Sequence, residues 1–222
     1  FNNLNLRLTL ARTTVADPIF PRDGSKISLT GQFTPPYSLF NGKSAADYAD
    51  LPLEKRFHWL EYHKWRLDLE FYKSIIGKLV LKVSNKTGMM SFYNSYVGLS
   101  PFERFELGGD GLSNQYVGIV GKDIIALRGY TVEQVREDNK VTTDGAAVFS
   151  KISMELRYPI SLNPSSSIYV LGFMDGGNMW NRIRDYRPFA LKRSAGLGLR
   201  VFLPMCGILG FDYGFGFDKP DL

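Results

Sequence analysis

Apolar and polar residues alternate with a period of two along much of the chain. In the run Ile208 to Asp218, Leu209, Phe211, Tyr213, Phe215 and Phe217 form one row. Gly210, Asp212, Gly214, Gly216 and Asp218 form the other. An extended strand sends such rows to opposite faces. The same alternation predicts strands over 3–11, 26–34, 63–72, 79–90, 148–158, 167–179 and 191–203, with a shorter one over 101–109. Turn signals stand at Pro21-Arg22-Asp23-Gly24 and Ile76-Gly77-Lys78. The stretch from Pro35 to about Tyr62 is irregular, with a short helix near Ala45 to Tyr48. A long polar, glycine-containing segment runs over about 110–146. Helical periodicity is nearly absent. The fold class is all-β, an antiparallel meander of about nine strands.

Two geometries fit this alternation. A soluble sandwich or barrel turns its apolar row inward; a transmembrane barrel turns it outward to lipid and keeps water inside. The polar rows favour the second. They hold Gly196, Gly198, Gly210, Gly214 and Gly216, which weaken a solvent-facing strand without benefit. Inside a barrel they make room for another segment. The apolar rows end in Tyr and Phe, as an aromatic girdle does; Tyr213 and Phe217 are read as girdle residues.

Composition agrees. Of 222 residues 14% are aromatic, with 12 Tyr, 16 Phe and 22 Gly, a mixture suited to strands and turns. Mean hydropathy is −0.14. No run approaches the roughly 18 apolar residues of a membrane helix, but a transmembrane strand needs only about 9–11, every second one free to be polar. The net charge of +5 is scattered, which argues against a nucleic-acid partner. Cys206 is the single cysteine and makes no internal disulfide or two-cysteine metal motif. No nucleophile elbow or P-loop is present. His58 and His63 lack helical zinc spacing, and Gly108-Gly109-Asp110-Gly111 reads as a turn rather than a calcium loop. The expectation is a non-enzyme with no cofactor and no metal. No signal peptide is visible and the chain opens in strand-like sequence, so a partial barrel is expected.

The motif Pro101-Phe102-Glu103-Arg104-Phe105-Glu106-Leu107-Gly108-Gly109, followed by Leu127-Arg128-Gly129-Tyr130, resembles the BamA family of outer-membrane assembly factors. Further collinear segments carry the resemblance: Met154-Glu155-Leu156-Arg157-Tyr158-Pro159, Phe173-Met174-Asp175-Gly176-Gly177, Arg193-Ser194-Ala195-Gly196-Leu197-Gly198, Phe211-Asp212-Tyr213-Gly214, and the turn Phe20-Pro21-Arg22-Asp23-Gly24. The resemblance implies the C-terminal part of a sixteen-stranded outer-membrane barrel, about its seventh to fifteenth strands. Upstream periplasmic domains, the first strands and the last strand would lie outside the chain. It implies an outer-membrane insertase for other β-barrel proteins. Its expected partners are outer-membrane lipids, unfolded β-barrel substrates and accessory assembly lipoproteins. A related two-partner secretion pore, a passive porin and a soluble β-sandwich binding module are the competing readings.

The resemblance also implies that the loop bearing Leu127, Arg128, Gly129 and Tyr130 folds into the lumen, where Arg128 meets Glu155 and Asp175. Parity agrees on its own. Glu155 shares a row with Lys151, Ser153 and Arg157, and Asp175 opposes Met174, Gly172 and Val170; a lipid-facing carboxylate would be costly. Phe173, Gly196, Gly198 and Gly214 are expected to support the loop, with Tyr130 packed beside Phe173. The family register places 35–62 on the periplasmic side, as a surface for a partner protein.

Overall fold

The computed structural model describes residues 1–40, 45–48, 50–111, 121–163, 166–205 and 207–218. Cys206 and the chain end at Asp221-Leu222 fall outside them. Eight strands form one sheet, each antiparallel to its neighbours. They are β1 (Leu6–Thr13), β2 (Gly24–Phe33), β3 (His63–Ile76), β4 (Leu79–Ser91), β7 (Val148–Asn163), β8 (Ser166–Trp180), β9 (Lys192–Leu203) and β10 (Gly207–Gly216). They lie side by side in that order. The remaining two strands, β5 (Phe105–Leu107) and β6 (Asp123–Ile125), pair in parallel within the long connection.

The two faces of the sheet settle its orientation. On β7, Ile152, Met154, Leu156, Tyr158 and Ile160 are exposed, while Ser153, Glu155 and Arg157 between them are buried. On β8, Met174 is 62% exposed and Asp175 3%. A sheet that shows methionine and hides aspartate is built for lipid outside and a polar lumen within. The row Ile152 to Ile160 runs about 26 Å at ~3.3 Å per residue. A strand tilt of about 40° makes that ~20 Å, most of the ~25 Å apolar band of an outer-membrane barrel. No helix among the described residues is long and apolar enough to cross a membrane. The chain supplies an incomplete wall of an antiparallel transmembrane barrel.

The connections fall into two sets. The strand ends joined by short connections (β1 to β2, β3 to β4, β7 to β8, β9 to β10) lie at one end of the sheet, and those joined by long ones (β2 to β3, β4 to β7, β8 to β9) at the other. Outer-membrane barrels have short periplasmic turns and longer outer loops. The described residues of 34–62 therefore lie at the outer end beside the long loop, not on the periplasmic side. They hold the expected turn of helix at Ala45–Tyr48 and further short helices at Tyr37–Phe40 and Leu53–Arg56. A second correction concerns 101–109: its strand β5 leaves the wall and joins β6 over the lumen.

At the outer end the lumen is filled. Leu60 and Tyr62 from the 34–62 connection and Val97 from the long one pack with Phe105, Leu107, Ile125, Leu127, Val135 and Phe149. Gly88 on β4 admits this packing, since a Cβ there would fall 2.5 Å from Phe149 and 2.8 Å from Phe105. At the other end Phe20 from the first turn is buried against Val80, Tyr169, Leu171 and Phe173, meeting Tyr169 edge-on at 5.2 Å.

Leu156→Arg in the full-length protein places a charge at mid-band on the outer row. It is expected to cost about 2–4 kcal/mol of barrel stability, read as a lowered urea midpoint in lipid vesicles.

Candidate functional site

Four adjacent strands prepare a seat for the long loop. The register aligns Glu155 of β7 with Phe173 of β8, Phe173 with Gly196 of β9, and Gly196 with Gly214 of β10. This lumenal row tapers from carboxylate to aromatic to glycine. One level outward the row reads Ser153, Asp175, Ser194, Gly216. The loop tip lies across both. Gly129 sits at φ +88°, where a Cβ would be strained and would meet the Gly216 nitrogen at 2.9 Å. On the other side, a Cβ at Gly214 would reach the Gly129 nitrogen at 3.0 Å, and one at Gly196 the Phe173 ring at 2.6 Å. The lumenal glycines of β9 and β10 thus let backbone and rings approach the wall. Gly198 leaves room for the Asp212 carboxylate opposite it.

The Arg128 guanidinium fills the seat. Its Nε donates to Asp175 Oδ2 at 2.7 Å and its Nη2 to Asp175 Oδ1 at 2.7 Å. Nη2 also donates to Ser153 Oγ at 3.0 Å and lies 3.0 Å from Glu155 Oε1. Its plane stacks on Phe173 at 3.6 Å from the ring centroid. A planar fork suits this arrangement because two parallel N–H bonds meet one carboxylate while the face rests on an aromatic. The Asp175 carboxylate is fully buried, so removing its partner strands a charge away from solvent. Around the centre, Arg157 pairs with Glu155 at 2.6 Å, Arg200 with Asp212 at 2.7 Å, and Lys151 lies 3.5 Å from Asp175. Lys151 also donates to the Ala126 carbonyl at 2.8 Å, gripping the loop just before Arg128.

Leu127 is fully buried in the loop's own core. Tyr130 is placed differently from the expectation. Arg128, not Tyr130, occupies Phe173, and the Tyr130 ring lies over Gly216, where a Cβ would fall 2.7 Å from it. Its hydroxyl donates to the Arg193 carbonyl at 2.8 Å and accepts from the Asp218 amide at 2.7 Å. The loop is therefore tied to the outer ends of β9 and β10 as well as to β7 and β8. Tyr213 stands mid-row on the outer face of β10 rather than at a girdle, while Phe217 lies at the row's outer end.

Sequence reasoning missed several contributors. Ser153 had the right parity but no distinguishing motif, and Asp212, though inside the Phe211-Asp212-Tyr213-Gly214 segment, was not singled out for a role. Lys64 on β3 holds the loop from another side, 2.9 Å from Asp123 and 3.6 Å from Glu103. Burial there raises the Glu103 carboxyl above its ordinary range against the pull of Lys64, and burial followed by Glu103 pushes Tyr62 up to about 12. The helix Val132–Asp138 was missed too. Its signal was present: Thr131 accepts from the Gln134 amide and Gln134 answers to the Thr131 amide, a reciprocal capping box. His58 and His63 do not meet a metal-binding group; among the described residues no such cluster occurs.

Comparison with known proteins adds to this geometry. A family model described as the Omp85 superfamily domain matches residues 1–222. No curated protein matches. Fifty-eight chains of solved structures do. One is the crystal structure of BamA from Haemophilus ducreyi lacking POTRA domains 1–3, with a TM-score of 0.64 and 18% identity. The match covers 97% of this chain and 39% of that one, so the chain spans well under half of that structure. At this identity the likeness concerns the fold.

Arg128→Ala or Asp175→Ala is expected to lower the full-length barrel's unfolding free energy by about 3–5 kcal/mol, with the double variant costing less than the sum of the two. Urea titration in vesicles reads both. Arg128→Lys is expected to restore only part of the loss, since an ammonium lacks the fork. Tyr130→Phe, which removes only the hydroxyl, is expected to cost about 1 kcal/mol.

Proposed function

The chain belongs to the Omp85 superfamily and is part of a bacterial outer-membrane β-barrel, and on that premise we propose that it forms the wall and internal loop of an insertase for other outer-membrane β-barrel proteins. The observation that carries this reading is the seated loop. Arg128 joins β7 and β8 through Ser153, Glu155 and Asp175, while Tyr130 joins β9 and β10. A pore for passive diffusion gains nothing from a lumen filled this way. A machine that exposes a strand edge to lipid needs the rest of its wall to stay rigid.

The work in this reading is physical rather than covalent. An incoming strand carries unpaired N–H and C=O groups, each costing several kcal/mol in hydrocarbon. Pairing that strand with an existing edge satisfies them before the apolar row meets lipid. The eight wall strands, β1 to β4 and β7 to β10, hold the barrel's curvature while this happens. Unfolded outer-membrane proteins are the substrates, and accessory assembly lipoproteins are the expected co-workers.

Export of a protein through the same pore is the second reading, favoured by the share of polar side chains lining the lumen, among them Lys82, Lys86, Lys151 and Arg200. It requires the loop to leave its seat. A disulfide engineered between the loop and β8 separates the two: insertion continues with the loop pinned, and export stops.

In cells depending on the full-length protein, Arg128→Ala and Asp175→Ala are each expected to lower assembled outer-membrane proteins about threefold or more, the scale that a loss of 1–2 kcal/mol or above brings to abundance. Immunoblots of heat-resistant barrels measure it. Wild-type levels with wild-type migration in both variants rule out the role.

A further inference from the structure

The loop between β8 and β9 starts at the rim against the long connection, where Asn181 donates to the Lys140 carbonyl at 2.7 Å and accepts from the Thr142 amide at 3.3 Å, and its second half folds down over the lipid side of the wall. Leu191 packs on the outward face of Gly176, at 3.4 Å from where a Cβ would stand. Asn178 Nδ2 donates to the Ala190 carbonyl at 2.6 Å. Trp180, on the outward row of β8, meets Tyr186 edge-on at 4.9 Å. Gly176 is the next outward position above Met174, which is 62% exposed and belongs to the apolar band. The loop is therefore seated at the outer edge of that band, where headgroups begin.

Its exposed side chains match that level. Phe189 is 96% exposed, and Ile183 and Tyr186 are exposed beside it. Arg182, Arg184 and Arg187 are all exposed, against one acid, Asp185. Arg184 approaches Asp185 only at 3.9 Å. Among the described residues Arg182 and Arg187 have no ion pair, whereas the lumenal cations Lys82, Lys151, Arg157 and Arg200 each have one. Below them Arg193, also outward, is held by Asp218 at 2.8 Å. A cavity of about 620 Å³ opens at the rim between this loop and the long connection, lined in part by Met90, Leu99, Arg104, Asp144, Arg182 and Arg184.

We propose that residues 181–191 bind the phosphate of an anionic lipid headgroup in the outer leaflet, with Phe189 and Tyr186 set among the acyl chains and Arg182, Arg184 and Arg187 gripping the phosphate. Aromatic side chains at an interface anchor by their apolar bodies. Arginines just above them present forked donors to phosphate oxygens. Position on the lipid face, continuous with the apolar band, selects a membrane lipid over a soluble anion. The site is independent of the insertase reading, for its arginines and aromatics take no part in the Arg128 and Tyr130 contacts that seat the loop.

The test uses the full-length protein in phosphatidylcholine vesicles containing about one-fifth phosphatidic acid. After extraction in mild detergent, native mass spectrometry counts each lipid retained per barrel. The wild type is expected to retain phosphatidic acid enriched at least about fivefold over its vesicle share, as attraction of an arginine to an anionic surface implies. Arg182→Gln/Arg184→Gln/Arg187→Gln is expected to fall to the vesicle ratio. A control removing three cations at the opposite end, Arg12→Gln/Lys73→Gln/Lys78→Gln, is expected to keep the enrichment. In the wild type, raising salt tenfold to about 1 M, where screening shortens to ~3 Å, is expected to reduce it. Equal retention by the triple variant, loss in the control, indifference of the wild type to salt, or displacement by inorganic phosphate at the lipid's own concentration each overturns the proposal.

Discussion

Hydrocarbon offers no hydrogen-bond partner, and the rest of this structure follows from that constraint. Every strand must find its backbone partners in a neighbour, so the chain folds as a meander whose eight wall strands pair in sequence order. The outer row must be apolar across the band, which sends the charges at that level inward. The lumen then holds more charge than isolated side chains would tolerate, and its acids and bases sort into pairs: Arg157 with Glu155, Arg200 with Asp212, Lys82 with Glu70. Asp175 lies deepest among them and has Arg128 as its forked partner.

Seating the loop takes shape as well as charge. Burying a guanidinium against a carboxylate offsets its desolvation only when the geometry is good and the remaining donors are used. Here Phe173 supplies a face, Ser153 and Glu155 take the spare donor, and the glycines of β9 and β10 let the loop backbone lie against the wall. The residues that look weakest as strand formers are the ones that bring the loop within reach of its acids.

The wall was legible in the sequence because each strand meets one environment on each side, and a period of two records that directly. Glu155 and Asp175 could be assigned to the lumen from parity alone. Elements whose partners are distant left no comparable mark. Phe105–Leu107 looks like a wall strand, yet its mate is Asp123–Ile125, joined in parallel across a connection with no periodic signal. Counting it in the wall reverses the direction of every strand before it, and that single miscount also put 34–62 at the wrong end. Parity likewise tells which face a side chain takes but not how far along the wall a loop will lie. That lateral offset decides that Arg128 covers Phe173 while Tyr130 reaches Gly216.

The loop's path has a mechanical consequence. A sheet shears easily along its strands, because neighbouring ladders slide past one another one register at a time. A diagonal member that grips β7 and β8 through Arg128, and β9 and β10 through Tyr130, triangulates four strands into a truss. Load applied to β10 is then shared by the Asp175 carboxylate two strands away. Under a pulling force on β10, β7 to β10 are released as one block, in a single large step, rather than peeling away hairpin by hairpin.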